Sequence, residues 1–406
     1  MFEPECLPDV GRPLYWLTAW VAITLAALLS ETLEPAISPV EAAPLVTEQL
    51  LVGQNTFNPQ TGVILQYSSS GARQGTLDTT TSGPNGSSQE TGMCLDALSP
   101  GNLYTTNFFA FSMSQFNPLG GLANANVHTF GTATPNSCVF DATGNLYVGL
   151  ADAGGGTFGG GDLLKFGPTG TLLATFDPAT ELRGTDWIDL AGDQRTVLYT
   201  SEGNSIKRFD VVNNVQLPDY CAPCDDGSGG VAGTLRALRI LPGGAGVLVA
   251  DFSTGVVRRY VGDVVSGTGV QDGSYIGIDA LDAFFPFAVN LDPDLLSFWT
   301  ADEVTGQVFR FAINGDGTPS SVFCGNGSTQ PDCSPDVTTP PGWFGVGGLA
   351  IVGEPTAALS AGPPTPVSVA PTWALVLAAC GLGAARHLGT RLRIRSSPAP
   401  ATHDLS

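Results

Sequence analysis

The feature that most constrains the fold is a repeat of about 50 residues in the centre of the chain. Short segments in which a basic residue precedes an aromatic residue recur along it, and the aromatic residues Phe209, Tyr260 and Phe311 are each 51 residues apart. A second apolar segment, such as Leu198-Tyr-Thr-Ser, precedes each of these segments. Internal repeats of this length are typical of solenoids and of β proteins built as closed rings.

Each repeat contains three evident β-strands and a weaker fourth. The turns between the first two strands, such as Asp141–Asn145, are rich in Gly and Asn, which supply the positive φ angles of tight turns. The chain has 52 Gly and 30 Pro, and both residues disfavour long helices. Because one repeat has the size and strand content of one propeller blade, we predict an all-β propeller over residues 45–355.

The repeats predict a six-bladed β-propeller. A sixth unit is split, because residues 347–352 look like a first strand without a successor, whereas residues 50–52 and 63–67 look like second and third strands without a first. Joining these ends would close the ring and leave no free sheet edge. Seven blades remain an alternative, since residues 79–89 are difficult to assign. The five complete units span residues 93–130, 136–176, 187–217, 235–265 and 285–324.

The repeat also carries a family resemblance. Gly144-Asn-Leu-Tyr-Val148, followed by Ile206-Lys-Arg-Phe209 in the next unit, resembles NHL repeats and the six-bladed gluconolactonase- and regucalcin-like propellers. The resemblance implies the architecture, and it implies either a calcium-dependent lactonase or a non-enzymatic binding module. The lactonase metal site uses Glu, Asn and Asp residues in the central channel, and the resemblance assigns none of these residues here.

The two ends of the chain differ from the centre. Residues 1–44 contain an apolar run of sixteen residues, which is short for a membrane span but suits a signal peptide or N-terminal anchor. A Pro-rich linker (residues 356–369) precedes an apolar segment with an Arg-rich tail (residues 370–395), and residues 396–406 are predicted to be disordered. This order resembles the PEP-CTERM and IPTL-CTERM sorting signals, although the usual Glu after the proline is missing; a simple tail anchor is the alternative.

These ends predict the location of the protein. A signal peptide indicates export, and basic residues after the last apolar segment should stay in the cytoplasm and leave the body outside. We therefore expect a periplasmic or cell-surface protein, held to the membrane by its C-terminal segment.

Composition excludes several function classes. The net charge of −21 makes nucleic acid an unsuitable partner, because phosphate binding needs a basic surface. His128 is the one histidine in the body, and its strand-like surroundings favour a structural role over that of a catalytic base. No catalytic residue set or phosphate-binding loop is identified.

Three acidic residues recur after the second strand of a repeat. Glu202, Asp251 and Asp302 occupy similar places there, and carboxylates brought together around a ring could bind a hard cation such as Ca²⁺. Acidic residues in such turns also accept hydrogen bonds from their own backbone, and this role is favoured. Calcium is therefore the one cofactor that the pattern admits, and no other is predicted.

Six cysteines in the body predict disulfide bonds, as an even number does in an exported chain. Cys94 and Cys138 take similar positions in consecutive units, whereas Cys221 with Cys224, and Cys324 with Cys333, are local loop pairs. Fifteen pairings are open to six cysteines, and this is the simplest one. A redox role for Cys221 and Cys224 is the alternative, but a Gly-rich loop follows them where such motifs open a helix.

Two functions follow from this sequence. The first is a binding or scaffold propeller of the cell envelope that holds a protein or glycan with the loops of one face. The second is a calcium-dependent lactonase or other hydrolase with a metal ion in the channel.

Overall fold

A computed structural model describes residues 41–56, 62–83, 87–96, 101–152, 162–276, 284–325 and 343–355. The predicted signal peptide up to residue 40, the linker, the sorting segment and the tail lie outside these residues. Among the residues described, no helix is long and apolar enough to cross a membrane.

The described part of the chain consists of antiparallel β-strands and one short 3₁₀ turn, Pro242–Gly244. In chain order the strands are β1 (Leu50–Thr56), β2 (Val63–Tyr67), β3 (Arg73–Asp78), β4 (Ser88–Leu95), β5 (Leu103–Asn107), β6 (Ser112–Phe116), β7 (Leu122–Thr129), β8 (Thr134–Phe140), β9 (Leu146–Asp152), β10 (Leu163–Phe166), β11 (Leu172–Phe176), β12 (Trp187–Leu190), β13 (Thr196–Thr200), β14 (Ile206–Asp210), β15 (Val215–Cys221), β16 (Leu235–Ile240), β17 (Gly246–Asp251), β18 (Val256–Val261), β19 (Val270–Tyr275), β20 (Pro286–Leu291), β21 (Ser297–Asp302), β22 (Gln307–Ala312), β23 (Pro319–Cys324) and β24 (Trp343–Ile351).

Four sheets have the strand content predicted for a blade. Strands β8–β11, β12–β15, β16–β19 and β20–β23 each form a four-stranded sheet in which consecutive strands are neighbours. The first three strands of each sheet are mostly buried, whereas the fourth is largely exposed. This exposure explains why the fourth strand was the weakest signal in the sequence.

The remaining strands form one eight-stranded sheet made of two halves. Strands β4–β7 form one half, and β1–β3 form the other together with β24. The halves join through only two residue pairs, Asn55 with Gln89 and Thr56 with Ser88. Strand β24 pairs with β1, and the first pair is Leu50 with Ile351. This pairing confirms that the two ends of the domain share one sheet.

The first strand of each sheet lies beside the first strand of the next. The contacts run from β4 to β8, β12, β16, β20 and β24, and from β24 back to β4. The apolar core lies between the sheets; Trp299 and Val308, for example, pack with Leu349 and Val52 of the neighbouring sheet. This is a propeller-like arrangement in which each sheet buries its faces against its two neighbours.

Two predicted disulfides are present. Cys94 on β4 is bonded to Cys138 on β8, with a Cα–Cα distance of 5.8 Å, and Cys221 is bonded to Cys224 at 4.7 Å. Cys94 is one residue before the last residue of β4 that pairs with β5, whereas Cys138 is two residues before the last residue of β8 that pairs with β9. The sequence suggested that the two positions are equivalent, and the register shows that they are not. Cys324 is also disulfide-bonded, but Cys333 lies outside the described residues.

Candidate functional site

The first strand of each sheet is its inner strand. A cavity of about 240 Å³ lies where these inner strands begin. It is lined by Asn55, Gln89, Phe108, Phe109, Asn136, Arg183, Asp186, Glu202, Arg236, Phe287 and Glu303. These residues come from the whole ring of sheets, so the cavity exists only because the sheets face a common axis.

Four of these residues occupy equivalent positions at or directly before the start of successive inner strands. Asn136, Asp186, Arg236 and Phe287 follow one another at intervals of 50, 50 and 51 residues. Each lies four residues before the last paired residue of its inner strand; these last paired residues are Phe140, Leu190, Ile240 and Leu291. Equivalent positions on strands that surround one axis must converge, and this brings an amide, a carboxyl, a guanidinium and an aromatic ring to one cavity.

A second set of cavity residues follows the second strands of the sheets. Phe108 follows β5 directly, Glu303 follows β21 directly, and Glu202 lies two residues beyond β13. Phe252 follows β17, and its ring packs against the guanidinium group of Arg236. Aromatic and acidic residues therefore share the rim of the cavity.

Ion pairs join the charged residues of the cavity into a chain. Nη1 of Arg183 lies 3.2 Å from Oε1 of Glu202, and Nη2 of Arg236 lies 3.6 Å from the same oxygen. Nη1 of Arg236 lies 3.4 Å from Oε2 of Glu303. Two guanidinium groups and two carboxylates thus neutralise one another, as charges in a partly buried site must.

Each arginine of the cavity also lies over a phenylalanine ring. The guanidinium carbon of Arg236 is 4.0 Å from the ring centroid of Phe252 and 4.8 Å from that of Phe287. The guanidinium of Arg183 is 5.4 Å from the centroid of Phe108. These are cation–π distances, and they hold the planar guanidinium groups in place.

Asp186 is the most buried charged group of the cavity, with 1% of its surface exposed. The side-chain amide of Asn136 donates a hydrogen bond of 2.9 Å to its Oδ1. Burial raises the pKa of Asp186 to about 7; the nearby Arg183 lowers the pKa and Glu202 raises it. Burial also raises the pKa of Glu303, against the influence of Arg236.

Of the three acidic residues predicted from the repeat, Glu202 lies in the cavity, and Asp251 and Asp302 hold turns. Oδ2 of Asp251 is 2.7 Å from Nε of Arg258 and accepts a hydrogen bond of 3.0 Å from the backbone of Gly233. Asp302 accepts hydrogen bonds of 2.8 Å from three backbone amides, including that of Phe285. These are the contacts of the turn role, the favoured one of the two roles that the sequence left open.

The register explains why Glu202 differs from Asp251 and Asp302. Asp251 pairs with Leu235 and Asp302 with Pro286 at the ends of their sheets. In the preceding sheet, β12–β15, the same position is taken by Ser201. Its hydroxyl accepts a hydrogen bond of 2.8 Å from the backbone amide of Glu181, as the carboxylates of Asp251 and Asp302 do from the amides of Gly233 and Phe285. Glu202 therefore matches Glu303. In the part of the chain that the structure describes, no three His, Cys, Asp or Glu side chains form a group that could hold a metal ion.

Four charged residues of the cavity were not predicted from the sequence: Arg183, Asp186, Arg236 and Glu303. Asp186 and Arg236 are 50 residues apart, which is the length of the repeat, and this spacing could have identified them as equivalent positions of successive repeats. Arg183 had no such signal, since it lies in the connection that precedes β12. His128, which was expected to be structural, lies with its ring centroid 4.1 Å from that of Phe166, and burial lowers its pKa.

The opposite end of the inner strands is narrower and holds paired side chains. Nε of Arg239 lies 3.0 Å from Oε1 of Glu354, and the side-chain amide of Asn290 donates a hydrogen bond of 2.7 Å to Oε2. The space there is only about 40 Å³. Among the described residues, the end lined by Arg236 and Glu202 therefore offers much more space for a ligand.

Comparisons with known proteins identify the fold. No family model and no curated protein matches the chain. A chain from the crystal structure of a nidogen/laminin complex is 13% identical with a TM-score of 0.51, and the match covers 77% of this chain and 98% of that one. A protein of unknown function from Bacteroides caccae is 11% identical with a TM-score of 0.52, covering 75% and 98%. At these identities the likeness concerns the fold alone, which is that of a β-propeller.

Proposed function

We propose that the protein is an exported β-propeller that binds a protein partner, and that one side chain of the partner enters the cavity between Arg183, Arg236 and Glu303. The observation that carries the proposal is the cavity itself. Residues from successive sheets converge on it, whereas the space at the other end of the inner strands, beside Arg239 and Glu354, is much smaller. The similarity in fold to a chain from a nidogen/laminin complex agrees with a protein-binding role.

The dimensions of the cavity favour a single inserted group. Pockets for drug-sized ligands usually measure about 300–1,000 Å³, and this one is smaller. A protein partner would place one side chain in the cavity and would gain further contact area on the surrounding loops, as interface anchors do. The rim supplies Phe108 and Phe109 for this contact.

Six blades is the count that the contacts between inner strands support. Strands β4, β8, β12, β16, β20 and β24 follow one another in a circular order, and each begins a sheet of its own if β24–β1–β2–β3 is counted as one blade. In this interpretation the eight-stranded sheet is two neighbouring blades that touch at two residue pairs.

The cysteines support export. Bonds between Cys94 and Cys138 and between Cys221 and Cys224 persist in oxidising compartments and are rare in the cytosol. Together with the sequence of the chain ends, this favours a periplasmic or cell-surface protein anchored by its C-terminal segment.

Site-specific cross-linking tests the proposal. A photoreactive amino acid in place of Phe109 at the cavity rim should give a discrete cross-linked protein in cells that produce the chain. The same amino acid in place of Leu173, which is 56% exposed on the outer strand β11, should not. The partner would then be purified, and its affinity for the protein should change at least tenfold with Arg236→Gln, because this substitution alters the charge of the cavity. An unchanged affinity would contradict the proposal.

A further inference from the structure

The cavity holds an uneven set of charges. It contains two guanidinium groups, those of Arg183 and Arg236, and three carboxyl groups, those of Asp186, Glu202 and Glu303. Both guanidinium groups already have carboxylate partners within 3.6 Å. An incoming anion would therefore meet no unpaired cation and would add a fourth acidic group to the site.

The third carboxyl group, that of Asp186, contacts the carboxyl group of Glu202 and has no basic partner of its own among the described residues. Asp186 is buried and accepts its short side-chain hydrogen bond from the neutral amide of Asn136. No ion pair within 4 Å joins Asp186 to a basic residue of the described chain. A cation beside Asp186 would complete the pairing of charges in the cavity.

The rest of the lining suits a guanidinium group. The two arginines of the site show how the propeller holds such a group, between carboxylate oxygens and the face of a phenylalanine. Phe108, Phe109 and Phe287 all line the cavity and can contact a further planar cation. The net charge of −21 would also attract a basic partner over a distance.

We infer that the cavity binds an arginine side chain that a protein or peptide partner presents, held by Asp186 and Glu303 and stacked on the phenylalanines of the rim. The inference rests on the proposed function and names the chemistry of the inserted group. Arginine is preferred to lysine because a planar guanidinium can stack on an aromatic ring and bind carboxylates with two parallel hydrogen bonds.

The consequence is a binding affinity that depends on pH. A cation favours the ionised form of Asp186, whose pKa of about 7 reflects burial among Arg183, Glu202 and Arg236, with Glu303 also lining the cavity. Binding of the cation should therefore strengthen as the pH rises from 6 to 8. A neutral ligand would give no such increase.

Calorimetry with short peptides tests the inference. The full-length protein is titrated with acetyl-Gly-Gly-Xaa-Gly-Gly-amide in which Xaa is arginine, lysine, the neutral isostere citrulline, or glutamate. We expect the arginine peptide to bind at least tenfold more tightly than the citrulline and glutamate peptides at pH 8. Asp186→Asn and Glu303→Gln should each reduce its affinity about tenfold, the effect of losing one charged hydrogen-bonding partner. The control Asp272→Asn, on the outer strand β19, should not change it.

The outcomes separate this inference from the proposed function. Equal binding of arginine and citrulline, preference for glutamate, or no binding of the arginine peptide would each overturn the arginine assignment. The proposed function would stand in all three cases if cross-linking at Phe109 still identified a partner whose affinity depends on Arg236. Folding of the variants is checked by their denaturation midpoints, and Glu303→Gln provides the answer if Asp186→Asn does not fold.

Discussion

Gly348 on the closing strand β24 lies so close to Thr91 on β4 that a methyl group added to Gly348 would overlap the carbonyl oxygen of Thr91. The two backbones therefore approach each other with no side chain between them. This contact lies where the C-terminal strand meets the first complete sheet, and it shows that closure of the ring depends on glycine at this position.

Substitution of this glycine should weaken the closure. We expect Gly348→Ala to lower the free energy of unfolding by about 1–3 kcal/mol, because the strands must move apart to admit the methyl group. The matched control is Gly273→Ala on the outer strand β19, where the nearest atom to the new methyl group would be Nε of Arg259 at 3.4 Å. Denaturant midpoints measure both effects, and equal midpoints for the two variants would contradict the close packing.

The buried ion pair between Asp251 and Arg258 should be strongly required for stability. The side chains are 0% and 7% exposed, so removal of the arginine leaves a carboxylate buried without its cation. We expect Arg258→Met to lower the free energy of unfolding by about 3–5 kcal/mol. Arg195→Met, which removes the 42% exposed partner of Asp210, should have little effect. A loss of similar size in both variants, measured by urea denaturation, would argue against this difference in burial.

Removal of calcium should leave the protein unchanged. The carboxylate oxygens of Asp251 and Asp302 already accept hydrogen bonds from Arg258 and from backbone amides, so they have little capacity left for a metal ion. We expect the same melting temperature in EDTA and in millimolar calcium. A higher melting temperature in calcium, lost in Glu202→Gln, would instead support the channel metal of a lactonase.

The repeat predicted the fold well because the pattern depends on residues buried between sheets. Basic and aromatic residues such as Arg310 and Phe311 alternate between the partly exposed and buried positions of one strand, and this period is visible in the sequence. The shared sheet at the chain ends was also predictable. Residues 347–352 and residues 50–67 each looked like part of an incomplete sheet, and an unpaired strand edge is stabilised by pairing with another strand.

The cavity was harder to predict than the fold, because it requires a comparison of the repeats that is correct to a single residue. Strands β16 and β20 each gain one residue relative to their partners just beside Arg236 and Phe287. The comparison of the repeats grouped Glu202 with Asp251 and Asp302, but the observed strand register places Ser201 with those two residues and Glu202 with Glu303. A displacement of one residue moves a side chain from the channel to a turn, so an alignment that is wrong by one residue misses the cavity.

Glu90 should make the stability of the protein depend on pH. It is fully buried on β4, and this burial raises its pKa well above the usual value. Above about pH 4.5 the unfolded chain releases this proton whereas the folded chain keeps it, so the contribution of Glu90 to stability decreases as the pH rises towards its folded-state pKa. Glu90→Gln, which stays uncharged, should remove this decrease and make the protein more stable than the wild type at pH 8 but not at pH 4.

An acidic residue with the opposite shift provides the control for Glu90. Hydrogen bonds from the hydroxyl and the amide of Thr318 lower the pKa of Asp316, so its contribution is lost as the pH falls. Asp316→Asn should therefore leave the stability at pH 8 no higher than that of the wild type. Denaturation midpoints across the pH range distinguish the two variants, and a flat pH profile of the difference between Glu90→Gln and the wild type would refute the role of Glu90.

The two disulfides should differ in their contribution to stability, because they close loops of different length. Cys94 and Cys138 are 44 residues apart and join neighbouring inner strands, whereas Cys221 and Cys224 are three residues apart. From the entropy of loop closure, removal of the first bond should cost roughly 4 kcal/mol and removal of the second about 2 kcal/mol. The paired alanine variants Cys94→Ala with Cys138→Ala, and Cys221→Ala with Cys224→Ala, allow the comparison by denaturant midpoint under oxidising conditions. If the local pair proved the more costly to remove, the stabilisation would come from packing around Cys224, which is fully buried, and not from closure of the longer loop.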